Sequence, residues 1–253
     1  MVKRKFIDLH VKSTLSVGKS SPSQIAKMAS YLGYKAVGLA DFNTSNLNLL
    51  NDIKELFKSY NIDLISRVDL EVESPRKLKS ILRRIRRKVE VISVYCKNLS
   101  IARLAARDRR VDILNFSVKD WRRNFFDKSE ALLAINGESA LEVNLIDLIK
   151  VKSPGERIQA IRILRDNIKV AKRYGVPIII SSGATSIFEM RAPRELAALA
   201  TILGLTEFEA RESLSNIPMN LVNKNREKLS ESFIMPGVKI IKKGDHHGEG
   251  EKK

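Results

Sequence analysis

The feature that most constrains the fold is a repeated alternation of short apolar segments with longer amphipathic segments. The apolar segments, which predict β-strands, lie at residues 5–10, 36–40, 62–72, 89–94, 111–116, 140–148 and 176–180. The intervening segments carry apolar residues at helical spacing, and several begin at proline or end at glycine, as helices often do. Parallel strands need such helical crossovers, and continuously apolar strands are typical of parallel sheets covered on both faces.

This pattern predicts an α/β fold, and its regular spacing favours a TIM-like (β/α) barrel with seven or eight parallel strands and about ten helices. An open, doubly wound parallel sheet is the alternative. An eighth strand is not apparent, because the segment Val238–Ile241 is a poor candidate. No linker interrupts residues 1–240, which predicts a single barrel domain. Residues 241–253 form a polar tail that we expect to be disordered.

The charge of the chain indicates its class of partner. Its 253 residues include 46 Lys and Arg against 29 Asp and Glu, a formal net charge of +17, and such a surface attracts polyanions. No apolar run approaches the roughly 20 residues that span a bilayer, and no signal-peptide apolar region is present. The single cysteine, Cys96, excludes an internal disulfide and a cysteine-based zinc cluster. We therefore expect a soluble, cytoplasmic protein without a membrane partner, and the scarcity of glutamine favours a thermophilic source.

Polar residues stand where three of the predicted strands end, and function gathers at strand ends in barrels of this type. The first strand runs into Asp8-Leu9-His10-Val11-Lys12, the second into Asp41-Phe42, and the seventh into Ser182-Gly183-Ala184. These segments resemble the PHP superfamily (polymerase and histidinol phosphatase), a group of barrel phosphoesterases. Its strand ends read Asp-Leu-His-x-His, Thr-Asp-His and Ser-Asp-Ala-His. The resemblance implies that such positions would hold two or three metal ions that activate water.

Most of the imidazole ligands of that pattern are replaced in this chain. Asp8, His10 and Asp41 remain, but Lys12 and Phe42 stand where the pattern has histidine. A lysine ammonium group repels the cation that a metal site needs. We therefore interpret Asp8, His10, Lys12 and Asp41 as vestigial metal-site positions, and expect no catalytic residue and no metal or other cofactor bound by the chain. The alternative is a PHP-type metal-dependent phosphoesterase with a reduced metal site.

A fuller resemblance covers residues 4–225. It is carried by residues 8–10, 38–43, 111–116, 141–144, 181–184 and 190–196. These segments resemble the ribonuclease P protein component 3 family, and the best single piece is the Arg-Ala-Pro-Arg run at 191–194. The resemblance implies a PHP-related barrel of archaeal type that has lost its metal site. It also implies a non-catalytic protein subunit of ribonuclease P, the ribonucleoprotein whose RNA removes the 5′ leader from precursor tRNA.

The same resemblance implies the partners. They are ribonuclease P RNA, precursor tRNA within the complex, ribonuclease P protein component 2 and other protein subunits. Mg²⁺ would serve the RNA catalyst. The subunit would act electrostatically, because cations that neutralise phosphates release condensed counterions and let the RNA fold.

Basic clusters supply the predicted RNA-binding residues. The third predicted helix carries cations off its apolar stripe, a second cluster follows the fourth strand, and two arginines flank Pro193 at a helix start, where phosphate is favoured. The predicted RNA-binding residues are Arg83, Arg84, Arg86, Arg87, Arg107, Arg109, Arg110, Lys119, Arg122, Arg123, Arg191 and Arg194. The alternatives are a solubilising surface, as in a basic scaffold protein without RNA specificity, and, for Arg194, an ion pair with a carboxylate such as Glu142.

Overall fold

The computed structural model describes residues 4–118, 124–235 and 238–239. The predicted RNA-binding residues Lys119, Arg122 and Arg123 and the predicted tail at 241–253 lie outside these residues.

Seven parallel strands form one sheet in chain order, which confirms the predicted fold class. The strands are β1 (Ile7–Val11), β2 (Ala36–Leu39), β3 (Asp63–Leu70), β4 (Val91–Tyr95), β5 (Ile113–Asn115), β6 (Ala140–Asn144) and β7 (Ile178–Ser181). The described residues also form ten helices: α1 (Pro22–Leu32), α2 (Leu50–Ser59), α3 (Pro75–Ile85), α4 (Leu99–Arg107), α5 (Lys128–Gly137), α6 (Ile146–Ile149), α7 (Pro154–Tyr174), α8 (Pro193–Ile202), α9 (Glu207–Glu212) and α10 (Asn216–Leu229).

The two edges of the sheet meet at the carboxyl ends of the strands. Val11, the last residue of β1, forms an isolated parallel bridge with Ala184, which follows β7. The N–H group of Lys12 donates to the carbonyl of Ala184 at 2.9 Å. The first and last strands are therefore neighbours, and the doubly wound open sheet is excluded.

A short loop segment closes the sheet at the amino ends of the strands. The N–H group of Ile180 in β7 donates to the carbonyl of Ser213 at 3.1 Å, and the N–H group of Ile7 in β1 donates to the carbonyl of Leu214 at 2.8 Å. Residues 213–214 thus lie between β7 and β1, where an eighth strand would close a (β/α)₈ barrel. The result is a nearly closed seven-stranded barrel.

The segment considered for an eighth strand lies elsewhere. Residues Val238–Lys239 (β9) pair antiparallel with Phe233–Met235 (β8) in a separate two-stranded sheet. The described part of this segment therefore adds nothing to the barrel.

Apolar side chains fill the space on both sides of the strands. On the outer side they pack against the helices, as Val37, Ile92 and Leu114 do. Inside the barrel, a second cluster lies near the amino ends of the strands and includes Ile7, and α10 packs against it through Val222. Helix α10 therefore covers the amino end of the barrel, and the carboxyl end is left to polar residues.

Local signals set the helix limits. The Ser21 hydroxyl accepts from the Gln24 N–H group, the Gln24 side chain accepts in return from the Ser21 N–H group, and Gly33 ends α1 in the left-handed conformation with φ of 85°. Thr206 and Glu209 form a second capping box at the start of α9. Among the described residues, no helix is long and apolar enough to span a membrane.

Candidate functional site

A layer of polar side chains crosses the barrel interior above the apolar cluster. Its centre is Arg67 on β3, whose side chain is fully buried. The guanidinium Nη1 and Nη2 groups donate to the two carboxylate oxygens of Glu142 on β6, at 2.6 and 2.7 Å. Nε donates to Oδ1 of Asp69 at 2.7 Å, and Nη1 also donates to the Leu9 carbonyl at 3.1 Å. A buried charge without such partners would cost several kcal/mol, so Arg67 and its acceptors stabilise the barrel only as a set.

Glu142 joins this centre to the remaining strands. Its carboxylate accepts from Asn115 Nδ2 on β5 at 2.9 Å and from Ser181 Oγ on β7 at 2.7 Å. With the two contacts from Arg67, every oxygen of Glu142 has two donors. Side chains from β3, β5, β6 and β7 therefore meet at one carboxylate.

His10 enters the same centre from β1. The register of β1 against β2 shifts between Asp8 and Val11, so Leu9 and His10 both turn towards the barrel interior. The imidazole Nε2 lies 3.0 Å from Oδ2 of Asp69, and Nδ1 lies 2.8 Å from Oδ1 of Asn144.

The charges within the centre determine the protonation states of His10, Asp69 and Glu142. Burial and the charge of Arg67 lower the pKa of His10, but Asp69 and Glu142 outweigh both and raise that pKa to about 9. Burial alone would raise the pKa of the two carboxyls, yet Arg67 and His10 hold both values well below the usual range. At neutral pH the centre therefore holds a guanidinium and an imidazolium against two carboxylates.

Lys12 adds a third positive charge at the edge of the centre. Its Nζ lies 3.6 Å from Oδ2 of Asp69, and the side chain of Lys12 is 27% exposed. Asp69 is thus in contact with Arg67, His10 and Lys12.

The other two vestigial positions, Asp41 and Asp8, lie outside this centre and accept hydrogen bonds from backbone N–H groups. The Asp41 carboxylate accepts from the Ser13 N–H group at 3.0 and 2.8 Å and from the Ser16 hydroxyl, so it organises the loop after β1. Oδ1 of Asp8 accepts from the Ser182 N–H group at 3.0 Å, and Oδ2 of Asp8 has no hydrogen-bond partner among the described residues. Burial raises the pKa of both carboxyls.

The structure therefore separates the four predicted positions. His10 and Lys12 join a cluster with Arg67, Asp69 and Glu142, which sequence reasoning did not assemble. Within the described residues, no group of three or more His, Cys, Asp or Glu side chains is arranged to hold a metal ion. One sequence signal could have shown part of this cluster: residues 65, 67 and 69 share a face of β3, so Arg67 falls between two inward positions of a buried strand.

The predicted RNA-binding residues of α3 divide into two kinds. Arg83, Arg84 and Arg87 are exposed and form no ion pair with a described acidic residue. Arg86 is half-buried, and its guanidinium donates to Asp112 and to the carbonyls of residues 89, 90 and 110. Arg86 therefore anchors the end of α3 to the starts of β4 and β5.

The predicted RNA-binding residues that follow β4 also divide into exposed arginines and one arginine engaged in an ion pair. Arg110 forms a two-point ion pair with Asp108, at 2.8 and 2.6 Å. Arg107 and Arg109 are exposed and have no acidic partner among the described residues.

Helix α10 contributes cations that sequence reasoning missed. Lys224 and Lys228 line a cavity of about 420 Å³ together with Arg109. Lys224 forms an ion pair with Glu138, and the charges of Lys228 and Arg109 also help to hold the Glu138 pKa below its usual range. Burial and the like charge of Lys224 lower the pKa of Lys228. Asn225 and Glu227 stand between these lysines in the sequence, so no continuous basic run revealed them.

These cations meet at one end of the barrel. A helix in a (β/α) unit runs back towards the amino ends of the strands, so the last turns of α3 and α4 lie at the end that α10 covers. We call this set the amino-end basic surface. It comprises Arg83, Arg84, Arg87, Arg107, Arg109, Lys224 and Lys228.

The two arginines around Pro193 lie elsewhere on the barrel. The Arg191 guanidinium donates to the carbonyls of Phe188 and Met190, both at 2.8 Å. Arg194 is exposed in the first turn of α8, and Glu142, its alternative partner, binds Arg67 instead. The Glu195 carboxylate accepts from the Ala192 N–H group at 3.2 Å and places a negative charge at this helix start.

Comparison with known proteins assigns the family. The family model described as RNase P subunit p30 matches residues 5–230. The chain belongs to this family. It is 31% identical to ribonuclease P protein component 3 of Methanococcoides burtonii, over 95% of this chain and 96% of that protein. It is 30% identical to the protein of the same name from Methanosarcina barkeri, over 97% of this chain and 100% of that protein.

Solved structures confirm the fold. A chain in a cryo-EM structure of archaeal ribonuclease P with mature tRNA superposes with a TM-score of 0.79 at 24% identity, covering 94% of this chain and 98% of that one. A histidinol phosphate phosphatase from Lactococcus lactis, solved with zinc, L-histidinol and phosphate, gives a TM-score of 0.53 at 11% identity, covering 87% and 94%. The predicted family is confirmed, the likeness to the phosphatase shows a shared barrel fold, and the chain is a ribonuclease P protein subunit.

Proposed function

We propose that this ribonuclease P subunit is non-catalytic and that it binds ribonuclease P RNA through the amino-end basic surface. The observation that supports this proposal is the distribution of charge. Exposed cations gather at the amino end, and of these only Lys224 forms an ion pair with a described acidic residue. The carboxyl end, where barrels of this type carry out chemistry, is instead filled by Arg67 and its acceptors.

The mechanism that fits this surface is electrostatic. Arg83 and Arg84 project from the last turn of α3, and Arg87 follows that helix. Arg107 ends α4, and Arg109 lies two residues beyond it. Side chains of this kind neutralise phosphates and release condensed counterions, which supplies affinity with little reading of sequence. Neutralised phosphates repel one another less, so the RNA holds its fold and its tRNA precursor at a lower Mg²⁺ concentration. In this proposal Mg²⁺ serves the RNA, and the chain supplies no cofactor.

The proposed partners follow from the family. They are ribonuclease P RNA, precursor tRNA held by that RNA, ribonuclease P protein component 2 and further protein subunits, in the cytoplasm. The fold neighbour solved in archaeal ribonuclease P with mature tRNA supports an assembly of this kind.

A phosphoesterase is not favoured by the geometry. Of the residues that resemble PHP ligands, Asp8 and Asp41 bind loop backbone, and His10 binds Asp69 and Asn144. Three side chains engaged in this way do not converge on a common point where a metal-bound water could be held.

Reconstitution tests the proposal. Cleavage of precursor tRNA is measured with the RNA and the other protein subunits, with and without this chain, over a range of Mg²⁺ concentrations. We expect that adding the chain lowers the Mg²⁺ requirement, and that the chain alone neither cleaves precursor tRNA nor hydrolyses a phosphate monoester in the presence of Mn²⁺. A reconstituted rate that is independent of the chain, or hydrolysis by the chain alone that is lost on His10→Ala, would contradict it.

A further inference from the structure

We propose that the guanidinium group of Arg67 is the resident cation of the buried centre formed with His10, Lys12, Asp69 and Glu142, and that this centre therefore takes no divalent metal. The centre lies at the end of the barrel where (β/α) barrels carry out chemistry. The histidinol phosphate phosphatase of the same fold was solved with zinc. In the present chain, a fully buried arginine lies at the middle of the polar layer inside the barrel.

The carboxylate oxygens of the centre already accept hydrogen bonds. A metal ion would need oxygens from Asp69 and Glu142, the two carboxylates of the centre. Oδ1 of Asp69 accepts from Arg67 Nε, and Oδ2 of Asp69 lies 3.0 Å from His10 Nε2. Both oxygens of Glu142 accept from Arg67, and each has a further donor in Ser181 or Asn115. Each carboxylate oxygen that a metal would use already faces at least one N–H group.

The charge balance of the centre also disfavours a divalent cation. Arg67 and Lys12 are cations that already balance the carboxylates of Asp69 and Glu142. A divalent cation would add two like charges inside a buried space, where charges are weakly screened. The centre therefore repels a divalent ion.

The guanidinium group of Arg67 also connects strands of the barrel, as a metal ion would. Through its donors Arg67 connects β3 to β6 at Glu142 and to β1 at the Leu9 carbonyl. A metal ion joins strands by drawing ligands from each of them to one point. The planar fork of arginine does the same with hydrogen bonds, and it is permanently charged, so the polar layer survives without a metal.

Substitution of Arg67 tests the proposal on purified, tag-free chain. Arg67→Met keeps an unbranched apolar stem but leaves two carboxylates without their main cation. After dialysis against EDTA, melting temperatures are measured with and without Mn²⁺ or Zn²⁺, and separately with a few millimolar methylguanidinium against NaCl of equal ionic strength. We expect a lower melting temperature for Arg67→Met, partly restored by the divalent ions and by methylguanidinium, and no response of the wild-type protein to either.

Arg110→Met is the matched control. It makes the same chemical change at a guanidinium that also forms a two-point ion pair with an aspartate, but near the surface. We expect its melting temperature to respond neither to divalent ions nor to methylguanidinium beyond the effect of NaCl.

Two results would overturn the proposal. One is binding of about one Mn²⁺ or Zn²⁺ per wild-type chain in calorimetric titration after EDTA treatment. The other is an Arg67→Met variant as stable as the wild type and unresponsive to added cations. If Arg67→Met does not fold, the wild-type titration still decides the question of the metal. The double variant Arg67→Met/Glu142→Gln then decides the question of charge: recovery of folded protein supports the proposal, and failure to recover contradicts it.

Discussion

The buried carboxyl of Glu130 gives the chain a pH-dependent stability whose sign can be derived. Glu130 lies in the first turn of α5, and its side chain is fully buried. Oε2 of Glu130 accepts from Arg103 Nη1 at 2.8 Å, whereas Oε1 has no hydrogen-bond partner among the described residues. Burial outweighs the attraction of Arg103 and raises the pKa of Glu130 to about 7.

The direction of the effect follows from linkage. The pKa of this carboxyl is higher in the folded protein than in the unfolded chain, so its contribution to stability is full below pH 4.5 and is lost as the pH rises through about 7. At about 1.4 kcal/mol per pKa unit, the rise from 4.5 to about 7 corresponds to a loss of about 3 kcal/mol.

Glu130→Gln removes this dependence. Glutamine resembles the protonated acid and stays neutral, while Arg103 keeps its two contacts with Asp127, at 2.9 and 2.7 Å. We expect the variant to match the wild type at pH 5 and to exceed it by about 2–3 kcal/mol at pH 8. Urea unfolding at constant ionic strength between pH 5 and pH 8 measures the difference. A difference that is the same at every pH, or a variant less stable than the wild type at pH 8, would refute this reasoning.

Two further substitutions test local features of the fold. Ser21→Ala removes the side chain that caps α1 and should lower the free energy of unfolding by about 1 kcal/mol, measured by urea unfolding. Gly38→Ala would place a Cβ atom 2.2 Å from the Leu9 carbonyl oxygen, a backbone atom that cannot move away cheaply. We expect Gly38→Ala to cost at least about 3 kcal/mol or to prevent folding, seen as a lower melting temperature by circular dichroism. At Gly155 a Cβ atom would meet only Ser153 Oγ, at an ordinary contact distance of 3.8 Å, so Gly155→Ala should leave the melting temperature nearly unchanged.

The strands and most helices could be predicted because their signals are local. Apolar runs mark the strands, and residues such as Ser21 and Gly33 mark where a helix begins and ends. The closure of the barrel carries no comparable signal, because Ser213 and Leu214 complete it through backbone carbonyls that any residue has.

The centre of the barrel could be predicted only in part. His10 and Lys12 stand out at a strand end, but the ion pair of Arg67 with Glu142 joins residues 75 positions apart in the chain. A single sequence shows that both side chains are charged and does not show that they meet. Burial then changes their role, since charges that the pattern would place in water instead hold the barrel interior together.

The cations of the surface show the same limit. Arg86 lies off the apolar stripe of α3, as Arg83 does, and sequence periodicity cannot tell the two apart. Position along the helix decides between them, because the C-cap residue Arg86 reaches the starts of β4 and β5 and finds Asp112 there. Lys224 and Lys228 belong to the amino-end basic surface because α10 covers the amino end of the barrel, which the sequence pattern does not show.

The central claim is that the amino-end basic surface binds RNA phosphates, and the salt dependence of RNA affinity tests it most directly. The variant Arg83→Ala/Arg84→Ala/Arg87→Ala is compared with Lys27→Ala/Lys152→Ala/Arg162→Ala, which removes three exposed cations away from that surface and changes the net charge equally. Both sets should shift stability by no more than about 0.5 kcal/mol per residue. Binding to ribonuclease P RNA is measured at several salt concentrations. For the first variant we expect weaker RNA binding and a flatter plot of log K against log salt concentration. Each lost phosphate contact should reduce the slope by a little under one, so three lost contacts should reduce it by roughly two to three. For the second variant we expect little change in either quantity. Equal effects of the two variants, or an unchanged slope for the first, would contradict it.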